Sequence, residues 1–156
     1  MMFKATLALL AAAAAPLVSA AGYARVENKC DFPVTLWSVG SEVDGPTTLK
    51  AGDGLYGEKF RRDPVTGGIA IKITRDPDGL YTGDPQLIYS YNLEGSKIWY
   101  DLSAVFGDAF PGHKLVEKSA NKNCPAIVWP DGTPPKGSQV KNCNSKNHVT
   151  LTLCAA

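Results

Sequence analysis

Apolar side chains recur at every second position along most of this chain. In "GGIAIKITRD", Ile69, Ile71 and Ile73 alternate with Ala70, Lys72 and Thr74, the pattern of a strand with one face buried and one face wet. The C-terminal stretch repeats it, with Val149, Leu151 and Leu153 set against His148, Thr150 and Thr152. Further strands are predicted in "YARVENKC", "FPVTLWSVG", "QLIYSYNL", "KIWYDLSA" and "HKLVEKS". The clusters "VDGP", "AGDG", "RDPDG", "TGDP" and "PDGTPP" separate them as turns. Helical periodicity is almost absent, since Gly and Pro interrupt every longer window. Many short strands joined by turns predict an all-β, antiparallel β-sandwich or flattened barrel. No internal repeat or interdomain linker is visible.

The first twenty residues break the pattern. "MMFKATLALLAAAAAPLVSA" has one positive charge at Lys4, an unbroken apolar run from Ala5 to Pro16, and small residues at Val18 and Ala20. This is a secretory signal, with cleavage expected after Ala20, or else after Ala21. Its apolar part is too short for a membrane anchor. The domain plan is a signal peptide over 1–20 and one small domain over 21–156, a length that benefits from covalent staples. Export predicts an extracellular or cell-wall location.

Removal of the signal leaves fifteen basic and fifteen acidic residues, so charge nominates neither nucleic acid nor a membrane as partner. A monomer is expected. Four cysteines, Cys30, Cys124, Cys143 and Cys154, enter an oxidising compartment and predict two disulfides. Three pairings are possible. The favoured one joins Cys30 to Cys154, first strand to last, and Cys124 to Cys143 around the Pro-rich segment. Loop entropy assigns about 4 to 5 kcal/mol to the long closure and about 3 kcal/mol to the short one. The spacings are too wide for a zinc site, so no metal is expected.

Candidate chemistry concentrates in "KIWYDLSAVFGDAFPG", Lys97 to Gly112. A glycosidase requires two carboxyls within about 5 to 9.5 Å. Asp101 with Asp108 or Glu94 is the candidate catalytic set. The competing reading makes Asp101 a strand-end acceptor and Asp108 a solvated turn residue, with Glu58 and Glu94 also solvated in turns. No Gly-x-Ser-x-Gly elbow, phosphate loop or dinucleotide fingerprint occurs, so no cofactor is expected. His113 and His148 read as exposed. Tyr81, Tyr89, Tyr91, Trp99 and Tyr100 cluster in the middle third, where flat rings serve either sugar faces or core packing. Arg61 and Arg62 read as solvated charges, and no Asn-x-Ser/Thr sequon occurs.

The opening "ARVENKCDFPVTLWSVG", with Asn28, Cys30 and Trp37, resembles the first strand pair of thaumatin-like proteins. "TGD" at Thr82 to Asp84, "IWYDLSAVFGDAFPG" and the final Cys154 are similar to the same superfamily, which joins its first cysteine to its last. Length and cysteine count most resemble the fungal yeast-phase-specific secreted proteins first described in Blastomyces. Larger relatives carry many more disulfides, so their disulfide-rich extra domains are missing here. The acidic cleft of antifungal members maps in part: Arg62 or Arg61 stands for its Arg and Asp101 for one Asp, but Ser90 falls near its Glu and Gly107 near its next Asp.

The resemblance therefore implies a thaumatin-like sandwich without an intact acidic cleft. The role it leads us to expect is a non-enzymatic one at the fungal cell wall or surface, binding a cell-wall glycan or a host surface protein through Arg62, Tyr91, Trp99, Tyr100 and Asp101. The alternatives are a weak β-1,3-glucan hydrolase or a wall component with no discrete ligand.

Overall fold

The computed structural model describes residues 20–156, so the expected signal lies outside the described residues. Among the described residues, eleven strands fill two sheets. In chain order they are β1 (Tyr23–Asn28), β2 (Val34–Val39), β3 (Val43–Leu49), β4 (Gly54–Lys59), β5 (Ile69–Thr74), β6 (Gln86–Glu94), β7 (Lys97–Val105), β8 (Leu115–Ser119), β9 (Ile127–Trp129), β10 (Lys141–Asn144) and β11 (Val149–Leu153). One short helix, α1 (Gly79–Thr82), sits between β5 and β6 and ends at Gly83 in the left-handed conformation. Sheet A runs β4-β1-β11-β8-β9 and sheet B runs β10-β7-β6-β5-β2-β3.

Every strand expected from alternation forms. Four others were not expected, because β3 and β4 contain or begin at the turn-like "VDGP" and "AGDG", while β9 and β10 are only three and four residues long. The sandwich also departs from a purely antiparallel plan, since β1 and β11 pair in parallel, Val26 opposite Leu151. Cys30 and Cys154 lie just beyond the same ends of these two strands and are disulfide-bonded, Cα atoms 5.0 Å apart, so the staple requires both strands to run toward it. Cys124 bonds Cys143 and ties the β8–β9 connection to edge strand β10. Both pairings are those favoured from the sequence.

The core is the set of inward positions dictated by alternation. Val26, Leu151, Leu153, Leu115 and Trp129 from sheet A face Leu36, Ile69, Ile71, Ile73, Leu87, Tyr89, Ile98 and Leu102 from sheet B, all buried. The burial of these apolar side chains is the main term holding the two sheets together. Hydroxyls cross the interior where a ring reaches the other layer: Tyr89 donates to the carbonyl of Val149 at 2.9 Å.

Candidate functional site

The pleat that fills the core also constructs a hollow on the outer face of sheet B. Direct pairing places Val39 opposite Ala70, Ala70 opposite Ser90 and Ser90 opposite Asp101, one row across four strands. Its middle members, Ala70 and Ser90, are small and leave space above the sheet. Larger neighbours stand on either side: Lys72 toward one end of the strands, and the pair Asn92 and Trp99 toward the other. The result is an open groove of about 470 Å³ lined by Val39, Lys72, Ser90, Asn92, Trp99 and Asp101, among others. A second hollow of about 340 Å³ lies between Asp101–Ala104 and the Pro-rich loop at Pro134, Pro135 and Gly137–Gln139. Asp101 and Val140 line both.

Local chemistry fixes the walls. Asp63 is buried and accepts four hydrogen bonds, from the Ser41 amide at 2.8 Å, the Ser41 hydroxyl at 2.8 Å, and the amides of Val65 at 2.9 Å and Thr66 at 2.7 Å. These bonds favour the charged form and hold its carboxyl well below the usual range. They join the β2–β3 turn to the segment before β5, whose Thr66 and Gly68 border the groove. Gly40 lets this happen, because a Cβ there would collide with the Asp63 carboxylate. Opposite, the Pro-rich loop is held by the Cys124–Cys143 bond and by Gly132, at φ +78°, packed where any Cβ would strike the backbone at Phe110.

Trp99 is half-buried, and its Nε1–H donates to Glu94 Oε2 at 3.0 Å, fixing the ring across the hairpin. Partial burial raises the Asp101 carboxyl above its ordinary value, and a backbone hydrogen bond at Leu102 offsets part of the shift. Arg62 stands at the rim, Nη1 donating to Asn92 Oδ1 at 3.5 Å.

Tyr91 and Tyr100, both in the expected binding set, border the groove, but their side chains are buried. Both belong to the core, 2% and 1% exposed, because each lies one position from a groove residue and a single step along a strand reverses the face. Tyr91 donates to Glu58 Oε1 at 2.5 Å, and Tyr56 donates to Glu58 Oε2 at 2.7 Å. Glu58 is therefore a link between the sheets rather than a solvated turn residue. Burial and the neighbouring Glu58 charge hold both phenols far above their ordinary range. Tyr100 donates to the Pro125 carbonyl at 2.5 Å, and desolvation followed by the Glu117 charge pushes its hydroxyl up to about 12.

Of the candidate catalytic sets, Asp101 with Glu94 does not assemble. Glu94 pairs with Lys97, four residues along β7 from Asp101, which is about 13 Å of strand, beyond glycosidase spacing. Asp108 lies past the end of β7 and lines neither hollow. The histidines are half-buried rather than exposed. His148 Nδ1 accepts from the Tyr23 amide at 3.0 Å, and the His113 ring packs edge-on to Phe32 at 5.3 Å. Lys72, Ala70, Ser90 and Asn92 were missed as groove residues. Their signal was parity: they share the face of Asp101 once β5, β6 and β7 are paired in register.

Comparison with known proteins agrees with this architecture. The model of a family described as "Blastomyces yeast-phase-specific protein" (Bys1) matches residues 11–155. The chain is 28% identical to an antigenic thaumatin-like protein of Arthroderma benhamiae, over 99% of this chain and 85% of the relative. It is also 28% identical to the secreted thaumatin-like protein calA of Emericella nidulans, over 88% and 84% respectively. Among solved structures, the protein elicitor MoHrip2 from Magnaporthe oryzae superposes with a TM-score of 0.70 at 24% identity, covering 86% of this chain and 100% of that one. The thaumatin-like xylanase inhibitor TLXI superposes with a TM-score of 0.56 at 14% identity, covering 84% and 98%.

Proposed function

Because the chain belongs to the Blastomyces yeast-phase-specific protein family, we propose that it is a secreted, non-enzymatic protein that binds a linear, neutral cell-wall glycan across the outer face of sheet B. In this reading residues 1–20 are the export signal and 21–156 the binding domain. The observation that carries it is the groove itself. A fixed indole at Trp99 stands beside a floor of small residues and a few polar side chains, Ser90, Asn92, Asp101 and Lys72, the mixture of flat apolar surface and sparse hydrogen-bonding groups that suits a sugar ring. One acid and one base nearly cancel, which favours an uncharged ligand. The adjoining hollow favours a chain of sugars over a single ring.

Titration with laminarin or chitin oligomers, read by tryptophan fluorescence, tests the proposal. Binding tightens with oligomer length, and Trp99→Ala weakens it about tenfold, the order of an aromatic contact worth about 1.4 kcal/mol. No binding of any neutral glycan by the folded protein would refute it. Release of reducing ends from laminarin stays at background, since the groove offers one carboxylate where hydrolysis needs two.

A second reading, a host surface protein as ligand, is favoured by a different surface. Tyr81 and Phe106 are 73% and 66% exposed. The α1 segment of Tyr81 and the loop of Phe106 approach each other where the Cβ position of Gly107 lies 3.3 Å from the Pro85 ring. Exposed rings of this kind suit a protein contact. Loss of a pulled-down surface protein on Tyr81→Ala, with Trp99→Ala unaffected, would select this reading.

A further inference from the structure

A charged side chain stands in the interior where alternation calls for an apolar one. On β8, Leu115, Glu117 and Ser119 all face inward, opposite Leu153, Leu151 and Val149 of β11. Glu117 is 0% exposed, and neither carboxyl oxygen has a hydrogen-bond partner among the described residues. A carboxylate so placed loses its hydration and gains nothing in return, so the uncharged acid is the form compatible with this fold.

The surroundings reinforce this from every side. Within sheet A, Glu117 is flanked by Leu151 on β11 and Ile127 on β9, both apolar. From sheet B it feels Tyr89 on β6 and Tyr100 and Asp101 on β7. The two phenols are already committed to the carbonyls of Val149 and Pro125. Asp101, when ionised, repels a second negative charge. Burial first, and Asp101 second, hold the Glu117 acid well above its ordinary value of 4.5.

We propose that Glu117 makes the sandwich a pH-sensitive clamp, closed while its acid is uncharged and loosened at the β8–β9 hairpin when a more alkaline medium ionises it. The hairpin is the element that gives way, because β9 is a three-residue edge strand and its connection to β8 carries the Tyr100–Pro125 hydrogen bond. The same segment leads into the Pro-rich wall of the second hollow. A molecule built this way is suited to an acidic medium. The inference does not depend on what the groove binds.

The sign follows from linkage. Glu117 holds its proton in the folded state and releases it in the unfolded state above about pH 4.5, so its stabilisation is complete below that value and declines as pH rises toward the folded value. One proton is involved, so the folding constant falls by up to about tenfold per pH unit across this window. Asp101 adds a smaller contribution of the same sign. His148, held low by burial and then by Arg25, acts oppositely, stabilising as pH rises through its range.

Comparing urea unfolding of the wild-type protein with Glu117→Gln and Glu117→Met at steps from about pH 4 to about pH 9 isolates the effect, since groups that do not interact with Glu117 cancel in the ratio. The ratio of folding constants, variant over wild type, is expected to climb with pH above 4.5 by up to about tenfold per unit for either variant that folds. Hydrogen exchange at one alkaline pH is expected to be faster in β8 and β9 of the wild type than of the variant. An infrared band of a protonated carboxyl at neutral pH, absent from the variants, supplies a direct readout. A ratio independent of pH, or no such band, would overturn the proposal.

Discussion

Trp99, Tyr100 and Asp101 are consecutive and all border the groove, yet the side chain of the second is buried in the core while those of the first and third lie on the outer face. Substitutions there have different consequences. Trp99→Ala is expected to leave the unfolding midpoint near that of the wild type while impairing ligand binding. Tyr100→Phe, which removes the bond to Pro125, is expected to cost about 1 kcal/mol in urea unfolding and leave the groove intact. Gly132→Ala places a Cβ against the Phe110 backbone at a positive φ. It is expected to lower stability by about 2 kcal/mol or more, measured the same way. Alternation already separates Trp99 from Tyr100 in the sequence, but which parity faces outward does not follow from a run in which Ile98, Tyr100 and Leu102 alternate with Trp99 and Asp101. Pairing with β6, where Leu87, Tyr89 and Tyr91 are inward, decides it.

The legible elements were those whose pattern ran long enough to show a period. β5, β6, β7 and β11 carry five or more alternating positions. β3, by contrast, is mostly exposed and contains Gly45 and Pro46, so it owes its place to pairing with β2 rather than to its own composition. The groove's walls were hidden for a related reason. Asp63 follows Arg61 and Arg62 in a polar stretch that reads as solvent-facing, whereas its four bonds come from residues twenty-two positions back and two or three ahead. Asp63 is depressed in the folded state, so its stabilisation is present above its ordinary value of 3.8 and is lost as pH falls through the folded value. An acid titration followed by circular dichroism is expected to show Asp63→Asn unfolding with a weaker dependence on pH than the wild type.

At the scale of the molecule, two bridges and one face organise everything else. The Cys30–Cys154 bond closes 124 residues and holds the parallel β1–β11 pair at the centre of sheet A. Its removal by Cys30→Ser with Cys154→Ser is expected to cost about 4 to 5 kcal/mol, against about 3 kcal/mol for the Cys124–Cys143 pair. The shorter bridge guards the groove wall, so its loss is expected to affect binding more than its share of stability suggests. Acid limits the fold through Asp63 and alkali through Glu117, which places the range of greatest stability between the two. The most direct test of the account is a nuclear magnetic resonance titration of the folded protein with a linear neutral glycan. Shifts are predicted for the Trp99 indole N–H and for the amides of Ser90, Asn92 and Asp101, extending to Gly137–Gln139 with longer oligomers. Shifts confined to α1 at Tyr81 and the loop of Phe106, or none at saturating glycan, would contradict it.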